Sequence, residues 1–150
     1  MSRVVEQARG WIGTPYHHQE SVKGAGTDCL GLMRGLWREL YGEEPELPPP
    51  YTQTWGDYDK KETMLEAAER NLEKVAMAPT GGYIMNPREV HWEPGALLFF
   101  RRLSGTSAKH CAVLSGPEMM IHAYSGVGVR ETSVGIWDKH VAGIFRFPGY

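Results

Sequence analysis

Gly24-Ala25-Gly26-Thr27-Asp28-Cys29-Leu30-Gly31-Leu32-Met33 joins a glycine-rich loop to a run whose apolar residues recur at helical spacing. Leu32, Met33, Leu36, Trp37 and Leu40 fall at i, i+3, i+4 intervals and stop before Gly42. That spacing predicts an amphipathic helix with Asp28 as its cap and Cys29 in the first turn of its buried face. A thiol there meets unpaired backbone N–H groups and the positive end of the helix dipole, both of which favour the nucleophilic thiolate. The alternative is a small buried side chain without chemistry, because free cysteines are among the most often buried residues. The rest of the chain has to decide between the two.

Its 150 residues, 41% of them hydrophobic and 23% charged, suit a single soluble globular domain with a core of its own. Sixteen basic residues against 18 acidic ones leave a formal net charge of -2, and the closest thing to a basic patch, Arg101-Arg102, is only a pair. Nucleic acid is therefore not an expected partner. A membrane is not expected either, because no long apolar run is present. Residues Met1 to Gly10 carry no signal-peptide core, so synthesis in the cytoplasm without a signal peptide is expected. Cys29 and Cys111 are read as two thiols rather than a disulfide.

Around the central stretch, Val4, Val5, Ala8 and Trp11 or Ile12 predict a short amphipathic helix over Arg3 to Ile12, closed by Gly13-Thr14-Pro15. Residues Glu43 to Tyr58 are rich in proline and read as an extended surface connection. Their Tyr51, Trp55 and Tyr58 either line a groove or pin a long loop to the core. Helical periodicity returns from Lys60 to Val75, with Glu62, Glu66 and Glu69 outward. Beyond Pro79, five short apolar runs cut by Gly and Pro predict strands at Ala96 to Arg101, His110 to Ser115, Met119 to Ala123, Val127 to Val134 and Val141 to Phe147, in a meander. Helices first and then an antiparallel sheet is an α+β arrangement, in which the helix bearing Cys29 lies across the sheet.

A cysteine nucleophile needs a base, and the base needs a group to orient it. His110 opens one predicted strand and His122 sits in the next. A loop of odd length pairs them across the hairpin at a register sum of 232, on one face, whereas an even loop puts them on opposite faces. With both on one face, Cys111 points to the other and packs there. His17 and His18 flank the loop before Cys29 and could line an entrance, while His91 and His140 lie at segment edges and are expected in solvent. A zinc site built from one cysteine and two histidines is the competing chemistry, but no Cys-x-x-Cys or His-Glu-x-x-His cluster is present.

Gly13-Thr14-Pro15-Tyr16, Asp28-Cys29-Leu30-Gly31-Leu32, Glu93-Pro94-Gly95-Ala96-Leu97-Leu98-Phe99, Lys109-His110-Cys111-Ala112-Val113 and Met120-Ile121-His122-Ala123 resemble, in order and spacing, the NlpC-type cell-wall cysteine peptidases. The compact length, the Asp-Cys-Leu-Gly-Leu variant and the ending Ala142-Gly143-Ile144-Phe145-Arg146-Phe147-Pro148 look most like the branch encoded with bacteriophage and gene-transfer-agent tails. The resemblance is thin between about residues 43 and 90, which looks like a branch-specific insertion within a single catalytic domain spanning 1–150.

This resemblance implies a papain-like α+β fold. It implies Cys29 as nucleophile, His110 as base, His122 as the residue orienting it, and Tyr16 with the Cys29 N–H near the oxyanion, Asp28 being grouped with Tyr16 on the substrate-binding side. The implied activity is hydrolysis of amide bonds in peptidoglycan stem peptides beside D-γ-glutamyl, with no metal or cofactor. Phage-like tail proteins are the implied partners, and the wall is reached through a tail tip or after lysis. The alternatives are a non-catalytic tail-assembly or wall-binding protein of the same fold, and an amidase or acyltransferase using the same Cys–His pair. Two departures stand out: Leu30 occupies the place of the family's usual Ser and Ala96 that of its Asp. The second removes a carboxylate and bears on substrate preference.

Overall fold

The computed structural model describes residues 2–48 and 61–150. The first helix, α1 (Arg3–Arg9), is capped by Ser2, whose hydroxyl accepts from the Val5 N–H at 3.3 Å, and it ends two residues before Trp11. A small hairpin of β1 (Ser21–Val22) and β2 (Gly26–Thr27) occupies the loop expected to be irregular, and α2 (Cys29–Tyr41) begins directly after it. Next come α3 (Thr63–Asn71) and six strands: β3 (Glu73–Met77), β4 (Leu97–Phe100), β5 (His110–Leu114), β6 (Met119–Tyr124), β7 (Gly128–Ser133) and β8 (Val141–Arg146). Short 3-10 turns span Pro87–Glu89 and Gly135–His140. Tyr51, Trp55 and Tyr58 lie outside the described residues.

The six strands form one antiparallel sheet in the order β3-β8-β4-β5-β6-β7. The fold is therefore α+β, with helices on an antiparallel sheet, but the meander holds only from β4 to β7. β8 crosses back to pair with β4 instead of β7 (Leu97↔Phe145, Leu98↔Ile144). Burial explains the exchange. Val141, Ala142, Gly143, Ile144 and Phe145 are buried on both faces of the sheet, which an edge position would not allow, whereas β7 is polar over Arg130–Ser133 and tolerates an edge.

The helix expected as far as Val75 stops at Asn71, since Leu72 is already extended and Glu73–Met77 pair with β8. Val75, β-branched, packs on the sheet instead. Glu62 also departs from the expected outward face. Its carboxylate pairs with the buried Arg101 and accepts from the Ala108 N–H at 3.3 Å, which ties α3 to the loop between β4 and β5.

Alternation along the strands gives the sheet two apolar faces. Leu97, Phe99, Val113, Ile121 and Phe145 meet α1, α2 and α3 on one face, through Val5, Leu32, Leu36 and Leu65. Leu98, Phe100, Ala112, Leu114, Met120 and Ile144 point to the other, where loop residues such as Ile84, Trp92 and Trp137 cover them.

Candidate active site

Three local features bring Cys29 to one end of the sheet. Asp28 caps α2: one carboxylate oxygen accepts from the Gly31 N–H at 2.7 Å and the other from the Gln19 N–H at 2.8 Å, a cap worth about 1 kcal/mol. Gly31 lets the first turn approach the preceding loop, because a Cβ there would lie 2.0 Å from the Glu20 carbonyl oxygen, and Gly35 leaves the same kind of room for Trp11. Thr14 is buried and anchors the segment before the site: its hydroxyl accepts from Gly24 N–H at 3.0 Å and its carbonyl from Val129 N–H at 2.9 Å. Two residues on, Tyr16 bridges Thr27 and lines the same cleft as Cys29.

The strands supply the rest. β5 and β6 pair as Val113↔Ile121 and Leu114↔Met120, a register sum of 234 rather than 232. The parity is that of the favourable case, so His110 and His122 share a face, offset diagonally. Their rings meet: His110 Nε2 lies 2.9 Å from His122 Nδ1, and His122 Nε2 lies 2.9 Å from the Thr132 hydroxyl. Thr132 was not picked out in the sequence. Its only signal was a hydroxyl in a strand next to that of His122, and strand neighbours are not written in the sequence. Phe100 stacks on His110 at 5.9 Å between ring centroids, while Trp137 lies 5.5 Å from it, so the imidazole is confined in an aromatic setting.

The thiol stands on the helical side. Cys29 is half-buried with Sγ 3.6 Å from the Lys109 carbonyl oxygen, and it is pushed down to about 5 by hydrogen bonding with Cys111, against burial, with the His110 imidazole adding in the same direction and the Asp28 carboxylate opposing. Cys111 faces away from His110 and is fully buried, as expected of a packing residue, but what it packs against is the site itself: its Sγ lies 3.4 Å from the Cys29 carbonyl oxygen. Its own thiol is held well above the usual range by hydrogen bonding with the Cys29 thiol and by burial.

His122 is pushed down to about 4, mainly by burial and then by His110, so it is a neutral imidazole at neutral pH. Burial and the neighbouring Cys29 raise the Tyr16 phenol to about 12, which keeps it a hydrogen-bond donor. Asp28 is buried, with one oxygen capping α2 and the other holding the Gln19 N–H of the preceding loop. It supports the helix start rather than lining the cleft.

Cys29 and His110 open on a cleft of about 580 Å³ whose other walls include Tyr16, Arg102, Tyr124 and Trp137. His17 and His18 do not line it; His18 Nδ1 sits 3.9 Å from Asp28 Oδ2 instead. His140, expected in solvent, does line it, with Nδ1 3.2 Å from the Arg101 carbonyl oxygen, while His91 is exposed. Among the described residues no group of three or more His, Cys, Asp or Glu side chains is disposed to hold a metal ion. The facing nitrogens of His110 and His122 are taken up by one another.

The NlpC/P60 family matches residues 13–146. Among characterised proteins, the gamma-DL-glutamyl hydrolase of Bacillus subtilis (strain 168) is 25% identical over 146 residues, covering 96% of this chain and 29% of that protein, so the chain spans less than a third of that relative's length. Among solved structures, the NlpC/p60 domain of the peptidoglycan hydrolase SagA has a TM-score of 0.55 at 22% identity, with 96% of each chain covered. NlpC1 from Trichomonas vaginalis gives 0.61 at 20% identity over 97% of this chain and 43% of that one. The peptidoglycan hydrolase RipB from Mycobacterium tuberculosis gives 0.56 at 18% identity, over 98% and 64%. These structures share the fold.

Proposed function

The chain belongs to the NlpC/P60 family, and from that premise we propose that it is a cysteine peptidase cutting amide bonds in the stem peptides of peptidoglycan, beside a γ-linked D-glutamyl residue. The single observation that carries the reading is the line Cys29, His110, His122, Thr132 at the head of α2.

The chemistry follows from which nitrogens are engaged. His110 Nε2 faces His122, which leaves Nδ1 for the thiol. For Nδ1 to accept a proton, Nε2 must carry one and donate it to His122 Nδ1, and neutral His122 then donates through Nε2 to the Thr132 hydroxyl oxygen. The chain of hydrogen bonds thus selects the tautomer in which His110 is a base toward Cys29. The Cys29 thiolate attacks the amide carbonyl carbon, and the charge developing on the oxygen is met by the Cys29 N–H at the unpaired start of α2 and by the Tyr16 hydroxyl. The His110 imidazolium protonates the leaving amine, and the imidazole then takes a proton from the water that hydrolyses the thioester.

Association with a phage-like tail and action on the wall from that tail or after lysis extend the proposal. They are supported by the Asp-Cys-Leu-Gly-Leu variant and the C-terminal sequence. Incubation with defined muropeptides, followed by mass spectrometry of the products, is the test. New amine and carboxyl termini on either side of a γ-glutamyl bond, absent with Cys29→Ala, are expected. Intact peptides, or transfer products in place of hydrolysed ones, would remove the peptidase reading.

A further inference from the structure

The cleft at Cys29 is charged in a way that the chain as a whole is not. The protein carries a net charge of -2, yet among the described residues no Asp or Glu lines this cleft, while Arg101, Arg102 and Lys109 do. The three cations are not equivalent. Arg101 is fully buried, donates to the Gly82 carbonyl at 3.0 Å and to the Thr106 carbonyl, and is neutralised by Glu62. Its part is structural: with Glu62 accepting from the Ala108 N–H, it fastens both ends of the β4–β5 loop. Arg102, the next residue in that loop, is exposed and has no carboxylate partner among the described residues. A guanidinium held on a fastened loop at the cleft wall, with no acid of its own, is pre-organised to receive a planar anion.

The opposite end of the cleft differs in kind. β5 lies between β4 and β6, so Arg102, just past the end of β4, and Tyr124, at the end of β6, flank His110 from its two sides. Trp137 lies over the middle, its ring 5.5 Å from that of His110 and 6.1 Å from that of Tyr124, and Ile136, 74% exposed, adds apolar surface to the cleft. A ligand crossing the thiol therefore meets a cation on one side and apolar surface on the other.

The geometry points to Arg102 as a specificity residue that binds a free carboxylate on the substrate, next to the bond that Cys29 attacks. This rests on the proposed peptidase function, and a γ-linked glutamyl residue is the chemistry that fits it: the side-chain carboxyl is consumed in the amide, which leaves the α-carboxylate free beside the scissile bond. Ala96, where an acid is usual in the family, precedes β4 at the opposite end of that strand from Arg102 and is buried in the loop-covered face of the sheet, so it takes no part in this cleft.

Two measurements test the assignment and separate its failure from that of the peptidase reading. The first compares kcat/KM on a stem peptide whose γ-linked D-glutamate keeps its α-carboxylate with that on the same peptide carrying a carboxamide there. The native protein is expected to favour the carboxylate form by about tenfold, mostly through KM, and Arg102→Ala to erase the preference. An equal preference in the two proteins would overturn the assignment and leave the peptidase intact.

The second needs no peptide. Alkylation of Cys29 by anionic iodoacetate is compared with alkylation by neutral iodoacetamide, and the rate ratio is expected to fall about two- to threefold in Arg102→Ala and further in Arg102→Glu, with the difference fading at high salt. A ratio that is the same in all three proteins overturns the assignment. A ratio that falls while neither peptide is cleaved upholds the carboxylate site and removes the peptidase reading.

Discussion

The two cysteines of this chain are neighbours in space and opposites in chemistry. Cys29 stands at the start of a helix with an imidazole within reach, and its thiol is pushed down to about 5. Cys111 lies in the middle of the packing between α2 and the sheet, and its thiol is pushed well above the usual range. Their contact does both: a thiol that keeps its proton is a donor, and the thiolate beside it is the acceptor that gains. Reactivity here is a property of place, set by which side of the sheet each neighbour comes from. Cys111 reaches Cys29 from the helix-covered face, and His110, one residue earlier on β5, reaches it from the other.

The largest effect should come from breaking the reactive side. Cys29→Ala and His110→Ala are each expected to lower kcat/KM by about a thousandfold or more, and His110→Ala should also slow alkylation of Cys29 at neutral pH. An unaltered alkylation rate in His110→Ala would detach the histidine from the thiol.

Farther along the line the losses should shrink. His122→Ala is expected to cost about ten- to a hundredfold in kcat and Thr132→Val about two- to tenfold, measured at matched folding, because each acts on His110 through one more hydrogen bond. If Thr132→Val proves the more damaging, the order of the chain is wrong.

The neutral state of His122 has a consequence for stability. Its pKa of about 4 in the folded protein lies below the ordinary 6.5, so between these values the unfolded chain binds the proton and the folded one does not. The contribution of His122 is therefore complete above about pH 6.5 and is lost as pH falls toward 4, by about 2–3 kcal/mol. Chemical denaturation from pH 7 to 4 should show this loss in the native protein and a flatter curve in His122→Asn. Parallel curves would place the low pKa elsewhere.

The smallest effect sharpens the comparison of the cysteines. Cys111→Ala removes the neighbouring donor and keeps the site assembled, so the pH at which Cys29 becomes alkylated should move upward without loss of the peptide-cleaving reaction at neutral pH. In the native protein, limited iodoacetamide should label Cys29 and spare Cys111, as peptide mapping would reveal. An unchanged alkylation midpoint in Cys111→Ala would assign the low thiol pKa to His110 and the helix start alone.

Local chemistry accounts for what was legible in advance. Asp28 before a helical run announced a cap, and one of its oxygens does accept from the Gly31 N–H of the first turn. The short apolar runs that start at Ala96, His110 and Met119 announced strands, whereas whether His110 and His122 share a face hung on a loop parity that only the strand register decided. The cap and the strands depend on residues within a turn or a pleat of one another. The same logic misled at Val75, where a fortuitous i, i+3 spacing ran past the true helix end, because pairing with β8 outweighs local propensity.

By itself, then, the sequence determined the α+β class, the helix that begins at Cys29 and the family motifs around the two histidines, all of them carried by short-range periodicity and by residue type. Only the tertiary structure decided that β8 inserts between β3 and β4, that Thr132 ends the hydrogen-bond line, that Cys111 lies under Cys29, and that Glu62 turns inward to fasten the loop bearing Arg102. Each of these joins residues from separate elements, and which elements become neighbours is settled by how the whole chain buries its apolar surface, a quantity that no local stretch contains.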